Sequence, residues 1–186
     1  IDHYTIVVVK STVPVGAIEI IQDILSEKLS IGEDFDVVSN PEFLREGSGL
    51  IDFYNPSRII IGCNTKFSGN VLKEIYKPLI DREYKVANQF SNKNQIIEIL
   101  LTDPVSAQMV KYASNAFLAT RISFINEIAG ISEKVGGKIS DIIYGIGLDP
   151  RIGADYLKPG IGFGGPCLDK DLRALILYLK KIILTL

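Results

Sequence analysis

The chain has 186 residues, 47% of them hydrophobic, and a formal charge of -2. That is ample apolar content for a buried core and too little positive charge for the basic face that nucleic acid or an anionic membrane requires. No apolar run approaches the ~20 residues that span a bilayer, IDHYTIVVVK lacks the features of a signal peptide, and two cysteines with one histidine, His3, give neither a disulfide framework nor a metal cluster, so a cytoplasmic protein without bound metal is expected.

In chain order, TIVVVK is a β-branched run of the kind found in strands buried on both faces of a parallel sheet. Ser11 to Gly16 make a turn, and Ala17 to Leu29 carries apolar residues at helical spacing. DFDVVSN reads as a second strand ending at Asn40. NPEFLREG reads as a short helix, with Asn40 as N-cap, Pro41 at the first position and Gly47 as stop. Ser57 to Gly62 predict a third strand, Thr65 to Leu79 a helix ending near Pro78, residues 85–95 a loop, and IIEILLT an apolar stretch after it. Asp103 and Pro104 then open a helix that runs unbroken to Gly136 and Gly137, roughly 48 Å at about 1.5 Å per residue. That length suits an interdomain or dimer-forming helix, and the domain boundary is placed near Thr102. A helix from Ser140 to Gly145, a glycine- and proline-rich loop from Gly147 to Gly165 and a last helix from Pro166 complete the pattern. The fold class is α/β, a partial Rossmann-like parallel sheet followed by a mainly helical part. No G-x-G-x-x-G stands at a strand-to-helix junction.

Four segments carry candidate chemistry. In PGIGFGGPCLDKD, glycines run directly into Pro166 and Cys167 at a helix start, where the positive end of the helix dipole favours a thiolate and Lys170 adds to it. Asp171, four residues on, shares a helical face with the sulfur. The same cysteine also reads as a structural thiol beside a loop; Cys63, after a strand, reads as structural outright. In NPEFLREG a helix would set Glu42 and Glu46 at i and i+4, either as a coupled pair suited to general base work or as a solvated acidic face. On the long helix Lys111, Asn115 and Asn126 fall within about 60° of one another among Phe117, Ile122, Phe124 and Ile125, which reads as a partly buried polar site or as an ordinary exposed stripe. Ser11 and Thr12, following a strand, lie at the carboxyl edge of the sheet, where open α/β folds bind ligands; a plain turn is the alternative.

Together STVPVG, NPEFLREGS, DFYNPSRIIIG, VKYASNAFLATRISFINEIA, GIGLDPRIG and PGIGFGGPCLDKD resemble the UDP-glucose and GDP-mannose dehydrogenase family in the family's order. GIGLDPRIG with NPEFLREGS is most similar to its UDP-glucose branch, ahead of the GDP-mannose and UDP-N-acetylhexosamine branches. The resemblance implies oxidation of a sugar 6-hydroxyl to a carboxylate with two NAD molecules, here UDP-glucose to UDP-glucuronate. It implies Cys167 as the nucleophile that forms a thiohemiacetal and then a thioester, with Glu42 activating the hydrolytic water. Lys111 and Asn115 would stabilise charge on the sugar oxygen, assisted by Asp171 through a water near Thr12. Ser11, Thr12, Glu46 and Lys170 would contact NAD. Glu42, Phe43, Leu44, Arg45 and Glu46, with Lys111, Asn115, Tyr156, Leu157, Lys158, Pro159, Gly160 and Gly164, would line the UDP-sugar pocket, and Arg151 would reach substrate, in its own or a neighbouring subunit. The helix 104–135 resembles the family's homodimer core.

The family pattern has serine before the cysteine and an aromatic–proline pair after it, where this chain has Pro166, Leu168 and Asp169. By the resemblance, residues 1–102 are the C-terminal part of the NAD-binding domain and 103–186 the central dimerisation and catalytic domain. The glycine-rich fingerprint and the C-terminal UDP-binding domain are absent, so little turnover is expected of the chain alone. A catalytically inactive oligomerisation module is the alternative from another class; a cysteine hydrolase or acyltransferase is disfavoured by the position of His3.

Overall fold

The computed structural model describes residues 3–83 and 96–183; the loop reading for 85–95 lies outside them. The chain divides into two compact units, Ile1–Lys111 and Tyr112–Leu186.

The first unit is an α/β layer. Strands β1 (Thr5–Val9), β2 (Phe35–Ser39), β3 (Arg58–Gly62) and β4 (Glu98–Thr102) form one sheet in that order. Helix α1 (Ala17–Ser26) makes the crossover from β1 to β2, and these strands pair in parallel, Thr5 opposite Phe35 and Val9 opposite Ser39. Helix α3 (Lys66–Ile80) stands between β3 and β4, which are also parallel. The sheet is mostly but not wholly parallel, because β2 and β3 meet antiparallel at Ser39 and Gly62. Their connection carries the six-residue helix α2 (Gly49–Tyr54). Every residue of β2 is buried, whereas β1, whose β-branched run predicts burial on both faces, is half-buried throughout. Phe35 and Val37 pack with Ile18 of α1, while Val38 packs with Leu72 and Leu79 of α3, which puts helices on both faces.

Two expectations need correction here. NPEFLREG is not helical: residues 41–45 have no regular structure, residues 46–48 turn, and the helix begins at Gly49. Asn40 does not serve as N-cap because its side chain is spent on the sheet, donating to Ile60 O at 2.7 Å and accepting from Lys10 Nζ at 3.0 Å. Asp52 instead gathers the segment, accepting from Arg45 N at 2.8 Å and Ser48 Oγ at 3.0 Å. Helix α3 also passes through Pro78 to Ile80, Pro78 falling in its last turn.

The long helix α4 (Pro104–Val135) has the predicted bounds, and Asp103 caps it by accepting from Ser106 N at 2.8 Å. The Ser106 side chain first, and then that backbone bond, hold the Asp103 carboxyl below its ordinary range. Gly62 is required where β3 meets the start of α4: a Cβ there would stand 2.6 Å from Ala107 Cβ and 2.8 Å from Asp103 O. The second unit holds the rest of α4, helix α5 (Ile139–Gly147), the loop 148–165 and helix α6 (Pro166–Ile183). Its buried side chains include Tyr112, Ala119, Ile125 and Leu157.

Candidate functional site

Parallel pairing brings the ends of β1 and β2 to one carboxyl edge, and the register that sets Val9 opposite Ser39 places Lys10 beside Asn40. Ser11 and Thr12 leave from this edge into α1, whose first turn has no side-chain cap; Gly16 before it adopts the left-handed conformation at φ 92°. The turn's two hydroxyls and the uncapped amides of a ten-residue helix are a donor set that suits the hydroxyl and phosphate groups of a dinucleotide. Gln108 Oε1 accepts from Gly16 N at 3.3 Å and ties this turn to α4.

From the same edge, residues 41–45 carry Glu42 to Lys111. Glu42 Oε1 stands 3.1 Å from Lys111 Nζ, while Oε2 accepts from Leu44 N at 2.6 Å. Lys111 is only 5% exposed, and Glu42 is its compensating charge. Two cations stand over the Phe43 ring, the Arg58 guanidinium 4.1 Å and Lys111 Nζ 5.3 Å from its centre. Arg45 is held by Asp52 through Nη2 at 2.6 Å and Nε at 3.0 Å. Those bonds, joined by Arg45 N and the Ser48 hydroxyl, hold the Asp52 carboxyl down at about 2 against the opposing effect of burial. Glu46 is exposed in the following turn, so the expected i, i+4 pairing of Glu42 with Glu46 does not form, because no helix is there to set it.

In the second unit the counterpart is Asn115 with Asp171. Asn115 is 8% and Asp171 2% exposed, and Asn115 Nδ2 donates to Asp171 Oδ2 at 2.6 Å. Lys170 Nζ stands 3.2 Å from the other oxygen, an ion pair outside hydrogen-bond angles. Burial first, and then the Asp171 charge, push the Tyr112 phenol up. Asp171 lies one turn after Cys167 on α6, and Cys167 is an exposed free thiol, not a packed core cysteine. Cys63, by contrast, is half-buried, and burial raises its thiol, in keeping with its structural reading. Asp169, the departure two residues after Cys167, is engaged by Arg173 Nε at 2.7 Å.

The loop that precedes α6 contributes the remaining residues. Leu157 is buried; Tyr156, Lys158, Gly160 and Gly164 are exposed and Pro159 is half-buried. Asn126 Oδ1 accepts from Gly160 N at 2.9 Å. Arg151 is folded back on Asp149, with Nη2 to Oδ2 at 2.6 Å and Nε to Oδ1 at 3.0 Å. Sequence reasoning missed Lys10 and Tyr76 on Asn40, Arg58 on Phe43, Asp52 on Arg45 and Arg121 on the loop. Only Lys10 had a readable signal, since the residue after one strand faces the residue after its parallel neighbour.

Comparisons with known proteins bear on both units. Residues 1–80 match the model of the UDP-glucose/GDP-mannose dehydrogenase family NAD binding domain, and residues 105–185 match that of the family's central domain. The chain is 48% identical over 172 residues to UDP-glucose 6-dehydrogenase YwqF of Bacillus subtilis, covering 92% of this chain and 36% of that relative. It is 47% identical over 175 residues to UDP-glucose 6-dehydrogenase of Rickettsia conorii, covering 94% and 36%. Among solved structures, a UDP-glucose dehydrogenase from Pyrobaculum islandicum superposes with a TM-score of 0.82 at 39% identity, over 97% of this chain and 38% of that one. A GDP-mannose dehydrogenase from Pseudomonas aeruginosa gives 0.66 at 33% identity, over 96% and 38%. The chain therefore spans little more than a third of the length of the curated relatives it matches.

Proposed function

The chain belongs to the UDP-glucose/GDP-mannose dehydrogenase family, and on that premise we propose that it is part of a nucleotide-sugar 6-dehydrogenase that converts UDP-glucose to UDP-glucuronate. One observation supports this reading most: in the second unit the buried Asn115–Asp171 pair stands one helical turn along α6 from an exposed free thiol, Cys167.

In this reading the 6-hydroxyl gives its proton to water held beside Asp171 and Thr12 as the C6–H bond breaks with loss of hydride, while Lys111 and Asn115 donate to the 6-oxygen and stabilise the negative charge it develops. The Cys167 sulfur then adds to the aldehyde carbon, forming a C–S bond and a thiohemiacetal whose remaining C6–H leaves as hydride, which gives a thioester. Glu42 takes a proton from the water that attacks this thioester; the C–S bond breaks, the carboxylate departs and the thiol is restored. Asp171 and Thr12 orient water beside these groups. NAD, when bound, accepts one hydride in each oxidation. Ser11, Thr12, Glu46 and Lys170 hold the cofactor. Phe43, Leu44, Arg45, Leu157, Lys158, Pro159, Gly160 and Gly164 line the nucleotide sugar together with Tyr156, and Arg151 reaches it by leaving Asp149. Two copies associate along α4, where Phe117, Phe124 and Ile131 recur every seven residues and are 62%, 52% and 55% exposed.

The test is alkylation of Cys167 followed by peptide mass spectrometry, with Cys63 as internal reference. UDP-glucose is expected to slow modification of Cys167 and leave Cys63 unchanged; stronger protection by GDP-mannose or a UDP-N-acetylhexosamine would move the assignment to another branch. If no nucleotide sugar alters the Cys167 rate, the proposal is wrong.

A further inference from the structure

Loop 148–165 has little regular structure, yet its middle is held by three attachments within the second unit. Arg121 of α4 donates from Nη1 to Ile152 O at 2.7 Å and from Nη2 to Gly153 O at 2.9 Å. Leu157, 2% exposed, anchors the centre. Asn126, one and a half turns further along α4, accepts from Gly160 N at 2.9 Å while its own Nδ2 donates to Ile122 O at 2.9 Å, which fixes the amide's orientation. Between the outer attachments Tyr156 sits at φ 59°, a left-handed conformation that a side chain of this size adopts only where its surroundings impose it.

We propose that Arg121 is a positioning residue that pre-forms the Tyr156–Gly160 segment for its nucleotide-sugar ligand, with Asn126 closing the other end; this rests on the reading of that segment as part of the sugar-nucleotide lining. The guanidinium is suited to the task because its rigid planar fork presents two N–H groups at fixed positions to two successive carbonyls, a geometry that the rotating donors of an ammonium do not hold. Among the described residues its buried Nε has no hydrogen-bond partner, and its two terminal nitrogens donate to the loop carbonyls. Because α4 is a continuous 32-residue helix, the clamp holds the loop against a stiff element. A loop ordered in advance spares the ligand the entropy of ordering it, so Arg121 acts on affinity through Tyr156–Gly160 without touching the ligand.

The experiment is hydrogen exchange of the full chain by mass spectrometry, with UDP-glucose titration calorimetry alongside. In Arg121→Met, amides of residues 152–160 are expected to exchange about tenfold faster while the protected amides of α4 and α6 keep their rates. Arg121→Lys should not restore protection, and UDP-glucose affinity should fall about tenfold in both variants. Unchanged exchange in the loop overturns the proposal. So does a uniform acceleration throughout the helical unit, which marks a merely structural arginine, or a loosened loop with unchanged affinity. If Arg121→Met does not fold, Asn126→Ala decides: faster exchange confined to residues 157–160 with weaker UDP-glucose binding supports the clamp, and no change refutes it. A wild-type chain that binds no nucleotide sugar sinks the functional reading, while the exchange data still decide whether the clamp exists.

Discussion

Two stretches that hold proposed site residues are built in opposite ways. Residues 40–48, after β2, are fastened at each step: Asn40 to the sheet, Glu42 to Lys111, Phe43 under Arg58, Arg45 and Ser48 to Asp52. Residues 161–167, ahead of and entering α6, are exposed apart from a half-buried Phe163, and an added Cβ at Gly162 or Gly164 meets nothing within 4 Å. A buried lysine needs its carboxylate held in place, because a misplaced partner leaves a charge uncompensated. A nucleophile must be reachable, so the role proposed for Cys167 requires an open approach. The fastened segment should therefore respond to loss of its anchors in stability, and the open one in ligand binding.

The largest effect is expected at Asn40. Asn40→Ala removes the bond to Ile60 O and strips the shared acceptor from Lys10 and Tyr76, at a buried site. A loss of about 2–3 kcal/mol in urea denaturation is expected, larger than one ordinary hydrogen bond because the groups left behind are partly buried. A loss below about 0.5 kcal/mol would break the comparison, since it would mean that residues 40–48 are placed without their sheet anchor.

A smaller, divided effect is expected in the open stretch. Gly162 has φ 121°, so Gly162→Ala should cost about 1 kcal/mol through backbone strain alone. Gly164 has ordinary backbone angles and open space, so Gly164→Ala should leave stability within about 0.5 kcal/mol while weakening UDP-glucose binding. Calorimetry that found Gly164→Ala neutral in binding as well would remove Gly164 from the ligand lining.

These segments also show what was readable in the chain and what was not. Periodicity and caps place α4 at Pro104–Val135 and start α6 at Pro166, because a proline at the first helical turn and a glycine beyond the last act locally. The polar stripe of the long helix leaves burial or exposure of Lys111 and Asn115 open in the sequence; the structure buries both, and it buries Asp171, for which spacing after Cys167 gives a shared helical face but no burial. NPEFLREG misleads for the converse reason. Its local signals favour a helix, but Asn40 is worth more to Ile60 O, Lys10 and Tyr76, partners 20 to 36 residues away. The antiparallel meeting of β2 and β3 is hidden likewise, since a short connection looks the same in sequence whether the chain crosses or reverses. Arg58 over Phe43 and Arg121 on the loop carbonyls leave no trace in spacing; tertiary geometry alone joins them.

The last and smallest expected effect is a pH response confined to the fastened segment. The Asp52 carboxyl is held at about 2, first by the Arg45 side chain and then by Arg45 N and the Ser48 hydroxyl, while burial opposes them. Because this folded value lies below the ~3.9 of an unfolded aspartate, the tie contributes fully above about pH 4 and is lost as pH falls from there toward 2. Arg45 is 66% exposed, so solvent and salt weaken the pair and the change should be local loosening without global unfolding. Carbon-detected NMR should show Asp52 titrating near 2, with the Arg45 amide losing protection over the same range. In Arg45→Met the midpoint should return toward 4. An Asp52 midpoint near 4 in the unmodified chain would mean that Arg45 does not hold the segment in solution, and that residues 41–48 depend on Asn40, Glu42 and Phe43.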